Sequence, residues 1–161
     1  MTQPPREPEK GSPAIHATDL VQAALRAWEE HDADALASYL SDDVICKQIF
    51  PQPIGKAQLI AFMQAITTAF PNWSFNGHVL DQEKLTESSW RVLFVIVVTG
   101  TQTGDLVLPP LPVIPATGTS ITLPHRRLQF FVIDDTIRLI TADFSPSGVE
   151  EVLMQLGLEL P

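Results

Sequence analysis

The pattern of hydrophobic and polar positions divides the chain into a helical first half and a strand-rich second half. Apolar residues recur at three- and four-residue intervals after Thr18, which reads as a helix N-cap, so we expect helices packed on a core by one face. Alternating or continuous apolar runs rich in β-branched and aromatic residues predict strands. The predicted helices cover 18–31, 33–40, 56–70 and a final segment capped by Ser145 and Pro146; the predicted strands cover 44–50, 73–80, 90–101 and two segments within 121–145.

Helices gathered at the start, followed by a run of strands and one closing helix, indicate an α+β fold. The length of 161 residues fits one domain with a core of its own, which we place at 17–161. Residues 1–16 are rich in Pro, Glu and Lys, and this composition predicts a disordered N-terminal tail.

The predicted chemistry depends on how segment 121–145 folds. Two alternating strands meet at Asp134-Asp135, and a two-residue hairpin turn there would fix the pairing register. Partners across the two strands share a face, so one face is apolar near the turn and polar at its far end. The register pairs Val132 with Ile137, Phe130 with Leu139, Leu128 with Thr141, and Arg126 with Asp143.

Composition restricts the partners and the compartment. The formal net charge of −9 argues against nucleic acid and anionic membrane surfaces, which select basic proteins. The longest apolar run, 92–98, is too short to span a bilayer, and residues 1–15 lack the apolar centre of a signal peptide. The single cysteine, Cys46, excludes an internal disulfide and fits a reducing compartment. We therefore expect a cytoplasmic protein.

Residues 105–118 combine four prolines with six large aliphatic residues. Proline donates no ladder hydrogen bond, so this Pro-rich loop cannot be an inner strand. An apolar loop needs a cover, and two interpretations are open: a lid over a pocket mouth, or a contact between two copies of the chain.

Several local motifs in this order resemble the SnoaL-like polyketide cyclase group of the nuclear-transport-factor-2-like, cystatin-like α+β barrel superfamily. They are the segment 28–44 ending in Ser-Asp-Asp-Val, Gly55-Lys56, Ala69-Phe70-Pro71, the run 100–104, the run 115–118, the turn 134–137 and Gln155-Leu156-Gly157. The resemblance covers about residues 17–158. Position 102 is glutamine, where the group commonly has histidine.

The resemblance implies a curled, mostly antiparallel sheet that forms a conical barrel around the N-terminal helices and encloses an apolar pocket. It also implies a homodimer and a cofactor-free acid/base reaction on a hydrophobic, carbonyl-bearing small molecule, either aldol cyclisation or ketosteroid-type isomerisation. A non-catalytic module that binds a ligand or forms a dimer is the alternative on the same fold. The histidines lack metal-ligand spacing, so we predict no metal site, and the resemblance implies that no cofactor is needed.

Under the catalytic hypothesis Asp143 abstracts a proton next to the carbonyl, while Arg126, Gln102 or Gln48 stabilises the enolate oxygen. The alternative reading of Asp143 is a cross-strand salt bridge to Arg126, and that of the two glutamines is an amide bonded to backbone. A further set of residues either lines a flat hydrophobic ligand or forms plain core: Met63, Trp73, Trp90, Phe94, Leu128, Phe130 and Thr141.

Overall fold

The computed structural model describes residues 13–109, 111–144 and 147–157. These residues form four helices: α1 (Pro13–Glu29), α2 (Ala33–Tyr39), α3 (Lys56–Ala69) and α4 (Gly148–Gln155). The same described residues form seven strands: β1 (Leu40–Cys46), β2 (His78–Thr86), β3 (Ser89–Ile96), β4 (Thr99–Thr101), β5 (Ser120–Thr122), β6 (Arg126–Ile133) and β7 (Thr136–Ala142). Three helices precede most of the strands, so the predicted α+β class is confirmed.

The strands form one five-stranded sheet in the order β1-β7-β6-β3-β2 and a two-stranded sheet of β4 and β5. The β1–β7 pair is parallel and the other pairs are antiparallel. The curled, mostly antiparallel sheet predicted from the sequence is therefore present, although β1 and β2 remain as open edges, so the sheet does not close into a barrel.

The core lies between the inner face of the large sheet and the helices. Alternate residues of β3 and β6 face the core and are buried, and the residues between them are half-buried. The buried ones are Val92, Phe94, Ile96, Leu128, Phe130 and Val132. Helices α1 and α3 supply the opposite side with Val21, Trp28 and Ile66, each below one-tenth exposed. This layer positions every cavity described below.

Strand β2 is an edge strand, and all nine of its residues are exposed. Arg91 on the neighbouring β3 bonds to Glu83 and Asp81 of β2 at 3.0 and 3.1 Å. The hydrogen bond to Glu83, followed by that to Asp81, raises the pKa of Arg91 above its ordinary value. A polar, ion-paired ladder thus ends the sheet on this side.

Several predicted boundaries were wrong. Helix α1 begins at Pro13 and not at Thr18, because proline is compatible with a first helical turn. Residues 13–16 therefore belong to a helix, while the rest of the predicted tail lies outside the described residues. The predicted caps Ser145 and Pro146 also lie outside them, and the N-cap of α4 is Ser147, whose hydroxyl accepts from the Glu150 N–H.

The predicted strands also shift. The strand expected at 44–50 is β1, which ends at Cys46 because Gln48 has a φ of +74°. The strand expected at 73–80 begins only at His78. The strand expected at 90–101 is divided into β3 and β4, because after Ile96 the chain leaves the large sheet to pair with β5.

The hairpin turn is as predicted, but the register is not. Asp134 and Asp135 have φ of +51° and +66°, which is the left-handed pair of a two-residue turn, and Val132 pairs with Ile137. A β-bulge then follows in β7, because Phe131 pairs with Leu139 and Arg138 is the extra residue. Beyond the bulge the pairing register is shifted by one residue. Phe130 therefore pairs with Ile140 in place of the predicted Leu139, and Leu128 pairs with Ala142 in place of the predicted Thr141.

Candidate functional site

The bulge places Asp143 on the outer face of the sheet. Its partner on β6 is Arg127 and not Arg126, because a shift of one residue reverses the face of every following side chain. The Asp143 carboxylate accepts the Arg127 backbone N–H at 2.8 Å and lies 3.5 Å from the Arg127 Nε. The predicted inward orientation of Asp143 is therefore wrong, and its interpretation as a general base loses the geometry on which it was based. Thr141 moves to the outer face for the same reason and pairs with Gln129.

Arg126 forms an ion pair with helix α4 and not with Asp143. Its Nε lies 2.9 Å from a Glu151 oxygen, and the Glu151 side chain is only 7% exposed. A second guanidinium nitrogen donates to the His125 carbonyl at 3.1 Å. Because a buried carboxylate needs a paired cation, this contact fixes α4 to the end of β6. It leaves the Arg126 guanidinium engaged with protein groups.

The two glutamines predicted to bond to a ligand both form hydrogen bonds to backbone groups instead. The Gln48 side-chain amide donates to the Phe144 carbonyl at 2.9 Å, and the Gln48 backbone carbonyl accepts from the Gly148 N–H at 2.7 Å. Gln48 thereby connects the end of β1 to the start of α4.

Gln102 is fully buried and anchors the Pro-rich loop. Its Nε2 lies within 3.2 Å of the carbonyl oxygens of Gly104, Ile114 and Pro115. Its Oε1 accepts from the Thr117 hydroxyl at 2.8 Å. Because both ends of this buried amide bond to groups of the loop, it has little hydrogen-bonding capacity left for a ligand.

Gly104 allows the same loop to approach helix α3 closely. Its N–H donates to the Ala69 carbonyl, and a Cβ at this position would lie 2.3 Å from the Thr68 carbonyl oxygen. Only glycine fits at such a distance. The loop is therefore held on one side by Gln102 and on the other by α3.

An apolar groove of about 530 Å³ lies between the Pro-rich loop, helix α3 and the proline-containing loop after β1. Leu108 is buried, whereas Val107 is 47% exposed. The volume is within the range typical of small-molecule sites. The groove is lined by Phe50, Pro51, Gln52, Pro53, Ile54, Gln58, Ala61, Phe62, Ala65, Val107, Leu108 and Pro109.

Two smaller cavities lie deeper, between the helices and the inner face of the sheet. The first, of about 60 Å³, is bordered by β1, β6, β7 and helices α1 to α3; its lining includes Cys46, Phe130 and Ile140. The second, of about 40 Å³, is bordered by Trp73, Ile96 and Phe144, and lies toward α4. Four residues border both cavities: Trp28, Ile49, Phe75 and Leu128.

A continuous series of edge-to-face aromatic contacts connects the groove to these inner cavities. Phe62 borders both the groove and the second cavity. Its ring centroid is 5.1 Å from that of Phe50 and 5.9 Å from that of Trp28. Phe75 continues the series, at 5.4 Å from Trp28 and 6.0 Å from Trp73. Phe62 is thus the partition between the groove and the interior.

Two indoles in this series contain buried donors without an acceptor. The Nε1 atoms of Trp28 and Trp73 are buried and have no hydrogen-bond partner, although both residues are less than one-tenth exposed. Indole N–H groups in protein interiors usually find a partner. Trp90 has the same unpartnered nitrogen, but it is not among the residues that line the groove or the two inner cavities.

The structure brings together only part of the predicted lining. Trp73, Leu128 and Phe130 border the inner cavities. Phe94 packs edge-to-face on Phe130 and borders a separate cleft of about 340 Å³ beside α1. Met63 is buried core and Trp90 is half-buried.

None of the residues that line the groove was predicted as a ligand-binding residue, and the aromatic residues Trp28, Phe62 and Phe75 of the inner cavities were also missed. The helical spacing of Trp28 gave only a core position. No sequence signal distinguishes a residue that borders a cavity from one that fills the core.

The described residues that line the groove and the two inner cavities include no Asp, Glu or His. The one titratable group among them is Cys46, and burial raises the pKa of this thiol to about 12. A thiol with so high a pKa is neutral at physiological pH and is a poor nucleophile. The lining therefore offers hydrophobic contact and indole donors.

Within the described ranges no three His, Cys, Asp or Glu side chains gather closely enough to hold a metal ion. No helix in that part of the chain is long and apolar enough to cross a membrane.

Comparison with known proteins connects this geometry to a family. The SnoaL-like domain matches residues 21–140. A candidate polyketide cyclase from Xanthomonas campestris pv. campestris has a similar structure, with a TM-score of 0.65 and 24% identity over 88% of this chain and 99% of that one. A candidate polyketide cyclase from Pseudomonas putida has a TM-score of 0.61 and 25% identity, over 84% of this chain and 96% of that one. A ketosteroid isomerase-like protein from Erwinia carotovora atroseptica has a TM-score of 0.63 and 12% identity, over 82% of this chain and 95% of that one. No curated protein matches the chain significantly.

Proposed function

Because the chain belongs to the SnoaL-like domain family, we propose that it binds a hydrophobic, carbonyl-bearing small molecule in the groove. One observation carries this proposal: an apolar groove of about 530 Å³ lies directly outside the interior, with Phe62 between them. Apolar concave sites with a few polar groups are typical of small-molecule binding. The apolar body of the ligand lies in the groove, and its carbonyl end reaches the interior when Phe62 rotates.

The relatives support the class of ligand. Two structural neighbours are candidate polyketide cyclases and one is a ketosteroid isomerase-like protein, so these names refer to polyketides and steroids. Steroids and many polyketides combine a hydrophobic carbon skeleton with ketone groups. We extend to this chain the binding of such a molecule.

Acid/base catalysis is the second candidate for the same fold. It needs a base beside the bound carbonyl, and Asp143 lies on the outer face of the sheet with Arg127. Apart from the Cys46 thiol, the described side chains that border the groove and inner cavities are apolar, amide or indole groups. The geometry therefore favours the binding module over the enzyme.

The Pro-rich loop acts as the lid in this proposal. Residues 107–109 border the groove, and Gln102 holds the loop against the domain. Burial of Leu106 and Leu108 gives the loop an apolar underside. Such a cover excludes water from the bound ligand.

A thermal-shift screen with polyketide, steroid and terpenoid ketones tests the proposal. At saturating concentration a ligand that binds the native state raises Tm, and Ala61→Trp fills the groove from the exposed side of α3 and abolishes the rise. Gln64→Trp on the same helix is the matched control, since Gln64 is exposed and does not line the groove. No stabilising ketone in the screen, or an equal rise in Ala61→Trp, would contradict binding in the groove.

We further propose that the protein is a homodimer formed through the outer face of the sheet. Leu93, Val95, Phe131 and Leu139 lie on that face and are half-buried in the single chain. Apolar area of this kind favours association. Light scattering coupled to size exclusion is expected to give twice the chain mass of 17.7 kDa, and Phe131→Glu is expected to give the monomer.

A further inference from the structure

The second inner cavity contains the feature that the proposed function does not explain. Trp28 and Trp73 both border this cavity of about 40 Å³, and the Nε1 atom of each is buried without an acceptor. A buried donor left unpaired costs about 1–3 kcal/mol. An acceptor placed in the cavity that both residues border would satisfy two unpaired donors at once.

Water fits these donors poorly. A cavity of this size can hold one water molecule, but a buried water needs two to four polar partners. The indole N–H is a donor only, and the other side chains that line the cavity are apolar: Ile49, Phe62, Phe75, Ile96, Val98, Leu123, Leu128, Phe144 and Val152. A water here could accept two hydrogen bonds, but its own O–H groups would find no side-chain acceptor. An alcohol has the same difficulty with its single O–H.

A carbonyl oxygen matches the site because it only accepts hydrogen bonds. We infer that Trp28 and Trp73 are the specificity-determining residues for the ligand, and that their indole N–H groups donate to its ketone oxygen. This inference rests on the proposed function and names the part of the ligand that enters the interior. It predicts that the site selects a ketone over the corresponding alcohol.

The path to the site follows from the aromatic series. Phe62 borders the groove on one side and the second cavity on the other, and its ring contacts that of Trp28 at 5.9 Å. The Phe62 side chain therefore lies between a ketone in the groove and the Trp28 indole. In this proposal the site recognises a polar group at the inner end of an apolar ligand.

Three matched probes with one skeleton test the inference on the full chain: 1-indanone, 1-indanol and indane. The chain has three tryptophans, so a ¹⁵N-labelled sample shows three indole N–H resonances, assigned by the single Trp→Phe variants. Indanone is expected to move the resonances of Trp28 and Trp73 downfield, whereas indane is not. The Trp90 resonance is the internal control, because Trp90 is unpartnered but does not border the cavity.

Affinities provide the second readout. The ratio of indanone to indane affinity is expected to fall about 3- to 10-fold in Trp28→Phe and in Trp73→Phe, because each keeps its ring and loses one N–H donor. It is expected to stay constant in Trp90→Phe. If a variant fails to fold, the resonance shifts of the wild type still decide.

Two results would overturn the inference and are distinguishable. If indanone and indane both bind, with an unchanged ratio in Trp28→Phe and Trp73→Phe and no indole shift, the donor role is wrong and the binding function stands. If none of the three probes binds saturably, the inference and the proposed function both fail.

Discussion

The Thr117 hydroxyl donates a 2.8 Å hydrogen bond to the side-chain oxygen of Gln102, a residue with no exposed surface. Thr117 lies near the end of the Pro-rich loop, and Gln102 lies just before its start. The nitrogen of the same amide contacts the Ile114 and Pro115 carbonyls. One side chain therefore closes the loop at its base and sets the position of the groove.

Replacement of Gln102 by leucine is expected to lower the free energy of unfolding by about 1–3 kcal/mol, because partly buried loop carbonyls lose their donor. The amide protons of Leu106 and Ile114, which bond to each other's carbonyls, are expected to exchange faster with solvent. Urea denaturation and hydrogen exchange measure the two effects. Gln64→Leu, at an exposed position on α3, is the control and should change neither. Unchanged exchange in Gln102→Leu would show that the loop is held by other contacts.

Phe62→Ala removes the partition between the groove and the inner cavity. Phe62 is 5% exposed, so truncation is expected to cost about 3–5 kcal/mol of unfolding free energy and to leave a continuous apolar space. Calorimetric unfolding measures the loss, and stopped-flow fluorescence should show faster association of ketone ligands. Gln64→Ala, at an exposed position on the same helix, is the control and should show little loss. A loss below about 1 kcal/mol for Phe62→Ala would contradict its packing role.

Asp143→Asn is expected to leave ligand affinity unchanged, because the carboxylate lies outside the groove and inner cavities. The pair with Arg127 is exposed, so the variant should lose no more than about 1 kcal/mol of stability. Titration calorimetry and urea denaturation are the measurements. A large loss of ligand affinity with intact stability would restore Asp143 as a site residue.

Cys46 is expected to resist iodoacetamide at pH 8 in the native protein and to react fully in denaturant. Burial raises its pKa from 9.0 to about 12, so the folded chain keeps the proton that an unfolded chain releases above pH 9. The unfolded state then binds fewer protons, and stability declines between about pH 9 and 12. Cys46→Ala should show a shallower decline across that range. Equal slopes in the wild type and the variant would mean that the thiol is not protected.

The sequence was sufficient for the fold class and for the turn, whereas the predicted hairpin register failed at one residue in β7. Asp134 and Asp135 take the left-handed conformation that a two-residue turn requires, as predicted. Arg138 then adds an unpaired residue, and its charge and size give no sign of a bulge in advance. This single insertion moved Asp143 from the inner to the outer face and replaced Arg126 by Arg127 as its partner.

The candidate site was partly predictable for a similar reason. Alternation along β6 correctly placed Leu128 and Phe130 on the inner face. The unpartnered state of the Trp28 and Trp73 nitrogens depends on what lies around them in three dimensions, which local spacing does not contain. Gln102 illustrates the converse, because an amide suited to a ligand bonds instead to the loop that follows it in the chain.

The exposed edge strand β2 bears on how the protein behaves at high concentration. An unpaired strand edge can recruit a strand from another molecule and start fibril growth. Here the edge presents Asp81, Glu83 and Lys84 in close succession, and Arg91 links two of these side chains to the neighbouring strand. A second molecule that approached this edge would have to strip water from those ions. The ladder of charges therefore acts as a gatekeeper against aggregation.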